Sequence, residues 1–184
     1  MRFRVAFVCT GNRFRSVLAA AAFRSAADGL PVHVESYGTL DLGPAAPLPG
    51  AIREASALGL DVSSHAARPL NDADLSDASL VVGFEAQHVV AAVDVARAPV
   101  ERVFVLPELV DLLDRIDVPR EPEPVTQARE AVARAHAVRR EEGRRSPREI
   151  EDPIALPDVA QRRIAQAVFD GATTLAVRLF VWFP

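Results

Sequence analysis

The chain has one cysteine, one tyrosine, one tryptophan and no lysine; all 21 of its basic residues are arginine. With Cys9 alone, no intramolecular disulfide can form, which suits a reducing cytosol. The missing lysine accompanies an Ala-, Arg- and Pro-rich composition and is not read as function. A net charge of -4 argues against nucleic acid as a partner. Long apolar runs are also lacking. Arg2 and Arg4 precede only a brief apolar run, without the length or small-residue cleavage site of a signal peptide. The apolar stretch 175–183 is interrupted by Arg178 and falls far short of a membrane span. A soluble cytoplasmic protein with no membrane association is therefore expected. There is no internal repeat and no low-complexity tract. What is present, 184 residues of which 49% are hydrophobic, suffices for one compact domain with a sizeable core.

The most informative stretch is Val5-Ala6-Phe7-Val8-Cys9-Thr10-Gly11-Asn12-Arg13-Phe14-Arg15-Ser16. Phe3 to Val8 is apolar and β-prone, short enough for a buried parallel strand. Gly11 and Asn12 tolerate left-handed backbone, so the chain can turn sharply there. From Ser16 onward, Val17, Leu18, an alanine run and Phe23 favour a helix. A turn between strand and helix points backbone N–H groups inward and, with the positive end of the helix dipole, makes an anion site. The field that holds a phosphate there also favours the thiolate form of a thiol. Arg15 can take two phosphate oxygens in its planar fork, and Ser16 can offer its hydroxyl to the Cys9 sulfur. A lone cysteine is usually a small buried hydrophobe; the strand before it, the Gly-Asn pair, the Arg-Ser pair and the following helix favour a nucleophile instead.

The rest of the chain alternates. Strands are expected at Val32 to Tyr37, Ala78 to Gly83 and Val103 to Leu106. Helices are expected at Ala51 to Leu58 with Gly59 as C-cap, at Gln87 to Ala96, at Val125 to Glu142 ending at Gly143, and at Asp158 to Phe180. Pro44, Pro47 and Pro49 mark a surface loop, and Pro119, Pro122 and Pro124 an excursion. Strands alternating with helices predict an α/β fold, a parallel sheet flanked on both faces, with ligands at the carboxyl ends of the strands. The arginine-rich run 134–148 reads as a solvated helix face. His33, His88 and His136 have no metal-ligand spacing and read as surface or packing residues.

These residues resemble the low-molecular-weight protein tyrosine phosphatases. That family carries a Cys-x5-Arg-Ser loop after its first strand, matched by Cys9 to Ser16. Its Ser-x-Gly-Thr, His-x-x-Arg and Asp-Pro motifs are matched by Ser36 to Thr39, His65 to Arg68, and Asp152-Pro153. The resemblance spans the chain apart from an apparent insertion at about 119–147. It implies a three-layer flavodoxin-like fold with a four-stranded parallel sheet and a helical insertion before the last helix. It also implies phosphomonoester hydrolysis with no cofactor and no metal. By this resemblance Cys9 attacks phosphorus to form a phosphocysteine. The loop Thr10, Gly11, Asn12, Arg13, Phe14, Arg15 and Ser16 holds the phosphate. Asp152 acts as general acid and then as base, while Asn12, Ser36 and His65 support the loop. The expected partners are a phosphorylated protein or a small phosphomonoester, with inorganic phosphate or other oxyanions as ligands.

The departures from the family concern substrate. Phe14 stands where a second cysteine is usual, so neither vicinal-disulfide protection nor the chemistry of the related arsenate reductases can run within the chain. Arg13 replaces an often aliphatic pocket residue, Val17 a proline, and Leu40, Asp41 and Ile154 stand where aromatics flank phosphotyrosine. Without those rings a phenyl group loses its stacking partners. Two further readings stay open beside a tyrosine-phosphatase-like enzyme: a phosphoarginine phosphatase of the same family, and a catalytically weak phosphate- or phosphoprotein-binding module.

Overall fold

In a computed structural model, residues 2–118, 120–143 and 148–180 are described. Pro119 and residues 144–147 of the expected insertion, and 181–184 of the C-terminal apolar stretch, lie outside the described residues. The order of elements is β1 (Phe3–Cys9), α1 (Arg15–Ala26), β2 (Val32–Gly38), α2 (Pro49–Ala57), β3 (Leu80–Gly83), α3 (Ala86–Asp94), β4 (Val103–Val105), α4 (Leu106–Arg115), α5 (Pro124–Glu142) and α6 (Asp158–Leu179). All four strands are parallel, in the spatial order β2-β1-β3-β4.

Alternation along β1 divides the core. Phe3, Val5, Phe7 and Cys9 face a large cluster built with α1, α2, α4, α5 and α6, whereas Ala6 and Val8 face a smaller one with α3, Leu70 and Leu75. The alanines of α1 are small enough to let α6 pack closely alongside. Gly171 of α6 admits Leu106 of α4, whose Cδ2 would lie 2.9 Å from an added Cβ. Among the described residues no helix is long and apolar enough to cross a membrane.

The largest departure from the sequence expectation follows β4. β4 stops at Val105, and Leu106 opens a helix, α4, where the sequence reading assigned no element. Proline in the first turn of a helix gives up an N–H that has no partner there, so Pro107 starts this helix instead of breaking it. Leu106, Leu109, Leu112 and Leu113 then form its buried stripe. α5 packs against α4 and α6, and Arg139 from the arginine-rich run turns inward, its guanidinium 3.9 Å from the centroid of the Phe104 ring.

Candidate active site

Cys9 ends the central strand β1, at the carboxyl edge of the sheet, where the chain crosses to β2 on one side and β3 on the other. The loop between β1 and α1 turns at Asn12, whose φ of 51° is left-handed; Gly11, also expected to be permissive, does not use a positive φ. Asn12 is fully buried and its side-chain hydrogen-bonding capacity is filled. Its Nδ2 donates to Ser16 Oγ at 2.8 Å and Ser36 Oγ at 2.9 Å. Its Oδ1 accepts from the Arg68 backbone N–H at 2.9 Å and lies 3.2 Å from His65 Nε2. His65 Nε2 is also 2.9 Å from the Asn12 carbonyl. Burial, with the nearby Arg68 and Arg24 charges, favours the neutral form of His65 and outweighs that hydrogen bond. Gly38, at the end of β2, lies so close that an added Cβ would be 3.0 Å from Asn12 N, Gly11 C and Thr10 O. Three of the four motifs of the sequence thus meet at one loop.

Within the loop, Cys9 Sγ is 3.0 Å from Ser16 Oγ and accepts from the Asn12 N–H at 3.3 Å. Ser16 Oγ accepts from Asn12 Nδ2, which leaves its own proton for the sulfur. The backbone N–H groups of Thr10, Gly11, Arg13, Phe14 and Arg15 have no acceptor among the described residues. Five unspent donors around a sulfur at a helix N-terminus suit a tetrahedral oxyanion. The Phe14 side chain packs in the core. Arg13 faces outward, its Nε donating to the Ala46 carbonyl at 2.6 Å.

Arg15 is 1% exposed, and four of its five N–H donors are engaged. Nη1 donates to Glu85 Oε1 at 2.7 Å and to the Ile150 carbonyl at 2.9 Å. Nη2 donates to Thr10 Oγ1 at 3.1 Å and to Asp152 Oδ2 at 2.5 Å. Asp152 reaches the site because the segment before α6 docks just past the end of β3, with the Ile150 N–H donating to the Phe84 carbonyl at 2.9 Å. Its Oδ1 accepts from the Ile154 N–H at 3.0 Å. α6 begins only at Asp158, so Asp152 is not the cap of that helix.

Sequence reasoning missed Glu85, His88 and the Thr10 hydroxyl. Burial works against charge on Glu85, yet hydrogen bonds from Gln87 and Arg15 hold its carboxyl below the ordinary range. His88, expected as a surface or packing residue, is fully buried, with Nε2 3.1 Å from Thr10 Oγ1. Burial and the Arg15 charge push it down to about 4, against partial compensation from Glu85, Asp152 and Glu149. The available signal was position: Glu85 and His88 follow β3 directly, at the carboxyl edge where Cys9 also sits. Three exposed aliphatic residues flank the loop and Asp152: the Leu40 N–H donates to the Thr10 carbonyl at 2.9 Å, Leu42 Cδ1 would lie 3.3 Å from a Cβ added at Gly11, and the Ile154 N–H reaches Asp152.

Comparison with known proteins agrees with this architecture. A structure of a mutant of YwlE from Bacillus subtilis is 23% identical, with a TM-score of 0.69 over 96% of this chain and 97% of that one. YwlE arginine phosphatase from Geobacillus stearothermophilus is 21% identical, with a TM-score of 0.68 over 96% and 92%. The tyrosine phosphatase Wzb from Escherichia coli K30, in complex with sulphate, is 18% identical, with a TM-score of 0.68 over 97% and 99%. At these identities the likeness is one of fold. No curated protein matches the chain by sequence. The profile of the low molecular weight phosphotyrosine protein phosphatases matches residues 4–142. The chain belongs to that family of cysteine-based phosphatases, which are hydrolases.

Proposed function

We propose that this protein hydrolyses phosphomonoesters through a phosphocysteine. Cys9 Sγ attacks phosphorus, and the bond to the leaving oxygen breaks as Asp152 delivers a proton to that oxygen. Water then attacks the phosphocysteine, Asp152 takes its proton, and Cys9 is released with inorganic phosphate. Arg15 and the free N–H groups of the loop stabilise the charge that builds on the equatorial oxygens. Ser16, donating to sulfur, makes Cys9 a better leaving group in the second step. Asn12, Ser36 and His65 hold the loop in shape. The observation that carries this reading is the convergence of Cys9, Arg15 and Asp152 on one cradle of unspent N–H donors.

The test is hydrolysis of a small aryl phosphate from acid to neutral pH by the wild type, Cys9→Ser and Asp152→Ala. Loss of turnover with Cys9→Ser and a strong reduction with Asp152→Ala are expected. Full activity of Cys9→Ser would overturn the assignment. Phosphate binding without turnover by the wild type would instead identify a phosphate- or phosphoprotein-binding module.

The aliphatic residues flanking the loop support a second reading of the substrate. Leu40, Leu42 and Ile154 offer no ring on which a phosphotyrosine could stack, and YwlE, similar in fold, is an arginine phosphatase. Opposing this, Arg13 places a cation in the loop itself. Turnover of a phosphoarginine peptide beside a phosphotyrosine peptide of the same sequence separates the two.

A further inference from the structure

The Thr10 side chain is polarised by its neighbours. His88 Nδ1 faces two backbone donors, the Glu85 N–H at 3.1 Å and the Phe84 N–H at 3.4 Å. A nitrogen that accepts from N–H groups carries no proton itself, so the neutral ring bears its proton on Nε2. That Nε2–H donates to Thr10 Oγ1 at 3.1 Å. Arg15 Nη2, which can only donate, also reaches Thr10 Oγ1 at 3.1 Å. A hydroxyl has two acceptor lone pairs and one proton. Both lone pairs of Thr10 are taken, and neither neighbour can accept its proton.

The remaining proton therefore belongs to a third group. Thr10 directly follows the nucleophile, and Arg15 Nη2, which it shares, is the nitrogen on which the carboxylate oxygen of Asp152 rests. The geometry points to the Thr10 hydroxyl as a hydrogen-bond donor to an oxygen of the bound phosphoryl group, with His88 as the positioning residue that fixes this polarity. This rests on the phosphatase reading of the site and adds a side-chain donor to its backbone cradle. His88 also accepts the N–H of Glu85, the residue preceding α3, and so helps cap that helix. A purely structural role would end there.

The two roles separate in the binding of inorganic phosphate, measured by calorimetry on wild type, Thr10→Val, Thr10→Ser, His88→Gln and the Thr10→Val/His88→Gln double variant. Folding of each is checked by circular dichroism, and Thr10→Ala substitutes if Thr10→Val does not fold. Glutamine at the third helical position can keep the cap through its amide oxygen, but offers Thr10 a freely rotating amide donor in place of the fixed imidazole N–H. Removing the hydroxyl is expected to weaken phosphate binding by about ten- to a hundredfold, whereas Thr10→Ser stays close to wild type. His88→Gln is expected to weaken it severalfold, and the double variant to bind no worse than Thr10→Val, because both changes act on one hydrogen bond. Wild-type affinity in the folded hydroxyl-less variant, Thr10→Val or its substitute Thr10→Ala, would overturn the proposal, as would fully additive losses in the double variant. Because the measurement reads binding, it stands apart from the phosphatase reading: absence of turnover in the wild type would refute that reading while leaving the role of Thr10 decided by affinity.

Discussion

Arg15 Nη2 and Asp152 Oδ2 lie 2.5 Å apart, while Glu85 Oε1 holds the other end of the same guanidinium at 2.7 Å from Nη1. One buried cation thus joins a fixed carboxylate to one carried on the segment before α6. On the proposed mechanism, a phosphoryl group bound to Nη2 replaces Asp152 Oδ2 there, and the displaced carboxylate is left to serve the leaving oxygen as general acid.

This arrangement predicts opposite effects of Asp152→Ala on binding and on turnover. The variant frees Nη2 and removes a negative charge from an anion site, so vanadate and inorganic phosphate should bind severalfold more tightly. Turnover of an aryl phosphate should fall about a hundredfold or more. Inhibition constants and kcat on one preparation check both; weaker anion binding by the variant would contradict the displacement.

Support of the loop predicts a large stability effect at Asn12, whose side chain is spent on hydrogen bonds within the protein. Asn12→Ala strips hydrogen bonds from Ser16, Ser36, the Arg68 N–H and His65 at once. Unsatisfied buried groups of this kind cost on the order of 1–3 kcal/mol each, and relaxation recovers part of that. A net loss of roughly 2–4 kcal/mol is expected from urea unfolding. Gly38→Ala should destabilise too, because its Cβ would press on backbone at 3.0 Å.

His88 predicts a pH dependence of stability. In the unfolded chain its imidazole takes up a proton near the ordinary 6.5, in the folded chain only near about 4. Between those values the unfolded state binds more protons, so stability rises with pH across that window. The contribution is complete above about 6.5 and declines as pH falls toward 4. Arg15, Glu85, Asp152 and Glu149 all act on this ring, so the comparison with His88→Gln isolates it. Urea midpoints at acid and neutral pH should show a smaller acid loss in the variant, by at most about 3 kcal/mol. Equal slopes would contradict the burial of a neutral imidazole.

Ile154 predicts a gain. Ile154 follows Asp152-Pro153 and is 63% exposed, so an aromatic ring there can be accommodated. Ile154→Tyr should raise kcat/KM for an aryl phosphate severalfold by stacking and leave a small alkyl phosphate unaffected. An equal rise for both substrates would contradict a stacking effect.

How much of this was legible in the sequence depends on the range of the signal. The strand, loop and helix from Phe3 to Phe23 are local, written in contiguous residue types, and the structure follows them within a residue or two. Ser36, Gly38, His65 and Arg68 converge on Asn12 from elsewhere in the chain; the family resemblance, and not periodicity, singled them out. Helix α4 was hidden by Pro107, which is harmless in a first helical turn. Glu85, His88 and the hydroxyl of Thr10 had no local signature, because their roles arise from one buried guanidinium that ties the residues after β3, the nucleophile loop and the segment before α6 together.

The most direct measurement of the central claim is an acid quench of the enzyme during turnover of an aryl phosphate, followed by mass spectrometry of its peptides. The account predicts one phosphoryl group on the peptide carrying Cys9, accumulating while substrate lasts and absent from the Cys9→Ala variant, which should not turn over. A phosphoryl group on another residue, or undiminished turnover by Cys9→Ala, would contradict it.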